Sequence, residues 1–194
     1  MISEQQYDRY VHYLLKGDRR SCELIVTSLL EKEITVRILY TELFQRSMYR
    51  VGELWETNKV TVAVEHLATS ITQQLMTLVY PQIFSVEKQG KKAVIACVAS
   101  EYHELGSRMV ADVFELNHWD GYFLGSNTPI NDLVQYIREV RPTILCLSLS
   151  IYFNIPELIK TIEGVQRQNP DLPILVGGQA FRWGGEEIMD QFPK

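Results

Sequence analysis

The apolar residues of this chain change their spacing near residue 86, and no single structural unit accommodates both spacings. Before that point they recur at helical intervals. Tyr7, Tyr10, Val11 and Leu14 make one face, and Cys22, Leu24, Ile25, Leu29 and Leu30 a second. Leu39, Leu43, Met48, Val51 and Leu54-Trp55 make a third, and Ala63, His66-Leu67, Ile71, Leu75 and Val79 a fourth. Gly17-Asp18 and Thr57-Asn58-Lys59 break the pattern, and Pro81 is expected to close the last helix. Short loops between amphipathic helices predict an antiparallel four-helix bundle over residues 1–85. The polar stretch 85–91 reads as a linker.

From Lys92 onward, short apolar runs alternate with helical segments. Strands are predicted at 93–98, 121–124, 143–147 and 173–176, with helices at 105–117, 130–139 and 156–168 between them. This alternation implies βαβ units, hence a parallel sheet with helices on both faces. The fold class is therefore α/β: a four-helix bundle followed, over 91–194, by a flavodoxin-like or Rossmann-like doubly wound domain. A further helical stretch at 186–191 precedes Phe192-Pro193-Lys194. A sheet of this kind ordinarily has a fifth strand and a closing helix, so the sequence reads as a fragment shortened at its C-terminus.

Composition narrows the function. A hydrophobic share of 46% with 22% charged residues suits a globular protein with a packed core. The formal net charge is −5, and no basic stripe rises above Arg19-Arg20 or Lys91-Lys92, which argues against a nucleic-acid surface. No apolar run approaches the roughly 20 residues that span a bilayer, and no signal peptide is visible at the start. Cys22, Cys97 and Cys146 are odd in number and widely spaced, and read as buried, reduced thiols of a cytoplasmic protein.

Three groups carry the chemistry. Glu101-Tyr102-His103-Glu104-Leu105-Gly106 follows the first predicted strand, Ser148-Leu149-Ser150 the third, and Gly177-Gly178 the fourth. All three fall at carboxyl ends of parallel strands, on the edge where open α/β sheets bind ligands. His103 can ligate a metal, and the Glu101 carboxylate can set its tautomer. Small residues at the other two ends leave room for a long ligand group beside the sheet.

These residues resemble the cobalamin-binding Rossmann-like domain, whose pattern is D-x-H-x-x-G, then S-x-L, then G-G. The spacing agrees across the second half of the chain, and Leu124-Gly125-Ser126-Asn127-Thr128-Pro129 is similar to the family's segment after the second strand. The resemblance implies base-off cobalamin, with His103 as the lower cobalt ligand and Glu101, in place of the usual aspartate, as its partner. It further implies that Ser148 bonds the buried tail base and that Gly177 and Gly178 line the tail slot. Ser150 stands where the pattern has leucine.

In the helical half, Trp55 followed after nine residues by Glu65-His66 resembles the cap of cobalamin-dependent photoreceptors of the CarH type. That resemblance implies adenosylcobalamin held between cap and sheet domain, with Trp55 packed over the upper axial group and Glu65 and His66 close by. Glu56 stands where a histidine can follow the cap tryptophan, so a bis-histidine light product through that residue is not expected. Residues 1–20 are too short for the winged-helix domain such photoreceptors carry. The expectation is a sensor, not an enzyme, without direct nucleic-acid or membrane binding, acting through a homo-oligomer or a regulatory protein partner. Two alternatives stay open at this point. One is the same fold holding haem or biliverdin, since imidazole ligates iron as well as cobalt. The other is a corrinoid methyl carrier of a methyltransferase system.

Overall fold

The computed structural model describes residues 1–182 together with 184, 188 and 192. The chain divides into two compact units, residues 1–82 and 83–194.

The first unit is helical. Helix α1 (Glu4–Leu15) starts at a capping box, with Ser3 accepting from the Gln6 amide and the Gln6 side chain accepting from the Ser3 amide. Gly17, at φ +69°, turns the chain, and Asp18 caps α2 (Arg19–Leu30) by accepting from the Ser21 amide. Thr35 caps a helix that runs without a break through α3 (Val36–Ile38), a π-helical stretch Leu39–Gln45 and α4 (Arg46–Glu56). Thr61 caps α5 (Val62–Met76). Tyr10, Leu14, Val26, Leu29, Leu39, Leu43, Phe44, Val51, Ile71 and Leu75 are buried, so the four apolar faces do form a common core.

Two details differ from the periodicity. Leu24 is 63% exposed, because α2 buries the stripe through Cys22, Val26 and Leu29. Pro81 does not end the helix. After a 3₁₀ turn at Thr77–Val79 the chain re-enters a helical turn, α6 (Tyr80–Phe84), in whose first turn Pro81 sits; a proline there forfeits no helical hydrogen bond.

The second unit is a four-stranded parallel sheet in the order β2-β1-β3-β4 among the described residues. The strands are β1 (Lys91–Cys97), β2 (Trp119–Phe123), β3 (Ile144–Ser148) and β4 (Ile174–Gly177). They alternate with α7 (Leu105–Leu116), α8 (Ile130–Val140) and α9 (Ile155–Gln166). Strand β1 is central and buried on both faces, which is why it reads as a continuous apolar run. Val94, Ala96, Val98, Leu145 and Leu147 share one core with residues of α8 and α9, including Leu133, Ile137, Leu158 and Ile162. Ala93, Ile95 and Cys146 point the other way, toward Ala111 of α7. Helices thus cover both faces. Strand ends fall within a residue or two of expectation, the usual scatter of termini. The expected helical stretch 186–191 lies, except for residue 188, outside the described residues.

Candidate functional site

The strand order places a ligand crevice before any side chain is considered. The chain leaves β1 toward β2 on one side, then returns across β1 to β3 and continues outward to β4. The order reverses between β1 and β3, and the carboxyl ends of two such strands leave a crevice between the loops that follow them. Cys97, at the end of β1, lies in register with Ser148, at the end of β3, and Ser148 with Gly177 of β4. The loop 99–104 and the segment 148–154 therefore flank that crevice.

Glu101 is the centre of the site. Its side chain is fully buried, and each carboxylate oxygen has two partners. Oε1 accepts from the His103 backbone amide at 2.9 Å and lies 2.6 Å from His103 Nδ1. Oε2 accepts from the backbone amides of Ser150 at 2.8 Å and Ile151 at 2.9 Å. Burial by itself pushes this carboxyl upward. The bonds from the His103 ring and amide and from the Ile151 and Ser150 amides outweigh it and hold the group at about 2. Glu101 is thus an anion at neutral pH. A carboxylate that accepts from Nδ1–H leaves the imidazole lone pair on Nε2, the tautomer that ligates a metal. The His103 side chain is 58% exposed, so the ring stands at the surface of the crevice while its anchor is buried.

The surrounding residues tighten the loop and leave space beside it. Glu104 Oε2 accepts from the Ser126 amide at 3.0 Å, and Ser107 donates to the Glu104 carbonyl at 2.8 Å. Cys97 Sγ lies 3.1 Å from Ser107 Oγ, and burial raises this thiol to about 11, so it is inert packing. Ser148 and Ser150 are half-buried on the same side of the chain, while Leu149 between them is fully buried in the core. A Cβ on Gly106 or Gly177 would meet nothing within 4 Å, so both face open space. Gly178 is different. It sits at φ +122°, and a Cβ there would overlap the Leu149 backbone; the fold itself requires this glycine. Tyr102, Ile151, Tyr152 and Phe153 present exposed apolar surface from the two loops that Glu101 joins, with Phe153 88% exposed.

In the helical unit, Trp55 near the end of α4 is 46% exposed, and Val62 and Leu67 in the first turns of α5 are exposed too. Glu65 Oε2 lies 2.6 Å from His66 Nδ1, and Glu65 Oε1 accepts from Thr69 Oγ1 at 2.9 Å. His66 itself is exposed. Trp55, His66 and Leu67 therefore do not belong to the core of their bundle, although helical spacing groups them with residues that do.

Sequence reasoning missed the amides of Ser150 and Ile151, and also Asn154, and it gave no role of its own to Asn127; both asparagines bond the loop before His103. Every residue but proline carries an amide N–H, so no residue type could have marked the first two. Among the described residues, no cluster of three or more histidine, cysteine or acidic side chains could cage a bare ion. One oriented imidazole beside open space suits instead a metal that brings its own equatorial ligands. No described helix is long and apolar enough to cross a membrane.

Known proteins resemble both halves of the chain. A family described as a B12 binding domain matches residues 91–193, and a second family with the same description matches residues 6–80. The chain is 29% identical over 124 residues to the HTH-type transcriptional repressor CarA of Myxococcus xanthus, covering 64% of this chain and 43% of that protein. It is 30% identical over 136 residues to the HTH-type transcriptional repressor CarH of the same organism, covering 68% of this chain and 44% of that protein. The chain thus spans less than half the length of the curated relatives it matches. Among solved structures, the monomethylamine corrinoid protein of Methanosarcina barkeri shares the fold, with a TM-score of 0.79 at 13% identity over 98% of this chain and 90% of that one.

Proposed function

From the B12-binding domain family, to which this chain belongs, we propose a cobalamin-binding regulatory protein that holds its cofactor base-off through His103. The observation that carries the reading is the buried Glu101 carboxylate, which orients the His103 ring at the switch point of the sheet. On this reading Glu101 fixes the tautomer, His103 Nε2 would ligate the cobalt, and Ser148 would bond the cofactor's tail base. Gly177 leaves the space that the tail needs, and Gly106 lets the ring system approach the start of α7. The exposed apolar side chains of 102 and 151–153 supply a bed for a large planar ligand. In the helical unit Trp55 and His66 are exposed, and Glu65, whose carboxylate meets the His66 ring, is partly buried. Adenosylcobalamin, when bound, would supply a weak cobalt–carbon bond sensitive to light or another stimulus.

The matched relatives are named transcriptional repressors, which favours regulation over catalysis, and the Trp55 to Glu65-His66 pattern favours a photosensory stimulus. The output then passes through a second copy of the chain or a regulatory partner protein. Haem and biliverdin rest on the imidazole alone and draw no support from the family. Absorbance of the purified protein with adenosylcobalamin, recorded dark and after illumination, tests the reading. A bound base-off spectrum that shifts on illumination, and that His103→Ala abolishes, is expected. No binding overturns the reading. Binding without a light response, together with methyl transfer between partner enzymes, identifies a carrier instead.

A further inference from the structure

We propose that Asn127 is a positioning residue for His103, acting at a distance by holding Ser100 in a left-handed backbone conformation. The proposal rests on the cobalamin reading only for what His103 ligates; the positioning itself is a property of the protein without cofactor.

The argument begins with strain. Ser100 sits at φ +64°, a region that costs a residue with a Cβ roughly 1–2 kcal/mol. Such a conformation persists only where the surroundings over-determine it, and it sits here one residue before the buried carboxylate. Asn127 supplies the restraint on one side. Its side-chain Oδ1 accepts from the Ser100 amide at 2.9 Å, and its own amide donates to the Glu101 carbonyl at 2.8 Å. Asn154 supplies the other side, with Nδ2 donating to the Ser100 carbonyl at 3.1 Å. The turn is closed by the Glu101 amide donating to the Val98 carbonyl at 3.1 Å.

Asn127 is suited to this by type as well as place. It lies at φ +49°, where asparagine is the most readily tolerated side chain after glycine. The neighbouring bonds from Thr128 to the Cys97 carbonyl and from Cys97 to the Gly125 carbonyl dock its loop against the end of β1. Asn127 thus grips both residues that precede the Tyr102-His103 pair. With the turn held, Glu101 enters the sheet edge at the one angle that lets Oε1 meet His103 and Oε2 meet the β3 loop. Without the Oδ1 acceptor, Ser100 can relax to an ordinary conformation, and the carboxylate loses its fixed approach to the ring.

The test uses two variants of the full chain. Asn127→Gly keeps the left-handed backbone and the amide bond to Glu101 and removes only Oδ1. Asn127→Asp keeps an acceptor at that point. In the cobalt-free protein at neutral pH, the imidazole nitrogen shifts of His103 report its tautomer. We expect the wild type and Asn127→Asp to show the Nδ1–H form, and Asn127→Gly a tautomer mixture. A wild-type tautomer in Asn127→Gly overturns the proposal, whatever the cofactor does.

With cob(II)alamin bound to ¹⁵N-labelled protein, electron paramagnetic resonance reads the axial nitrogen. A doublet marks a ligand from the protein and a triplet one from the cofactor's own base. We expect the doublet in the wild type, and its population to fall relative to the unligated form by roughly tenfold in Asn127→Gly, with Asn127→Asp restoring it. A triplet or an unsplit line in the wild type overturns the cobalt reading and leaves the tautomer result to decide the role of Asn127. A change in the cobalt spectrum of Asn127→Gly with an unchanged tautomer means that Asn127 touches the cofactor directly, which also overturns the proposal.

Discussion

Glu101 shows how much chemistry one side chain can hold when its four acceptor positions are all used. Its partners come from its own loop and from a loop 49 and 50 residues away, so removing the charge loosens both. Glu101→Gln is expected to cost about 1–3 kcal/mol of stability, measured by denaturant titration, and to weaken cobalamin binding roughly 10- to 100-fold, measured by cofactor titration. The pH dependence has a definite sign. The folded carboxyl sits at about 2 against an ordinary value of 4.5, so the anion stabilises the fold fully above pH 4.5. That contribution is lost as pH falls toward 2. The stability difference between wild type and Glu101→Gln is therefore expected to narrow steadily below pH 4.5, and a constant difference would contradict the assignment.

At the level of elements, the two adjacent glycines at the end of β4 do separate jobs. Gly178 is demanded by the chain, since its φ of +122° and the Leu149 backbone leave no place for a Cβ. Gly178→Ala is expected to destabilise the cofactor-free protein by about 2 kcal/mol or more. Gly177 faces open space. Gly177→Ala is expected to leave thermal stability within about 0.5 kcal/mol of wild type, while Gly177→Leu weakens cobalamin binding without unfolding the protein. Melting curves and cofactor titrations on the same samples separate the two. The G-G pattern was legible in the sequence, but it assigned one role to both residues. Only the close approach of Leu149 shows that the second is structural. Likewise α4 and α5 were legible as amphipathic helices, yet the exposure of Trp55, His66 and Leu67 was not, because helical spacing marks a stripe without saying where burial stops along it.

For the whole molecule, cofactor and fold are linked. A ligand that binds only the native state, present at a hundred times its dissociation constant, adds about 2.7 kcal/mol. In a chain of this size that raises the melting temperature by roughly 5–10 °C. Saturating adenosylcobalamin is expected to produce such a rise in the wild type and a much smaller one in His103→Ala, by scanning calorimetry in the dark. Trp55→Ala offers the complementary measurement. Its exposure predicts a cofactor-free stability within about 0.5 kcal/mol of wild type, so weaker cobalamin binding by that variant would report a contact with the ligand.

By itself the sequence determined the two-part architecture, the parallel sheet, and the placing of His103, Ser148 and Gly177-Gly178 at one edge, because periodicity and strand-end position are local properties. Tertiary structure decided what that edge can do. The carboxylate anchor on the amides of Ser150 and Ile151 and the exposed apolar surface of 102 and 151–153 are assembled when β1 and β3 pair in register, and the bridge from Asn127 to Ser100 when β1 and β2 do. Backbone amides carry no residue identity, and left-handed turns carry little, so such a carboxylate anchor becomes visible only once distant loops are brought together.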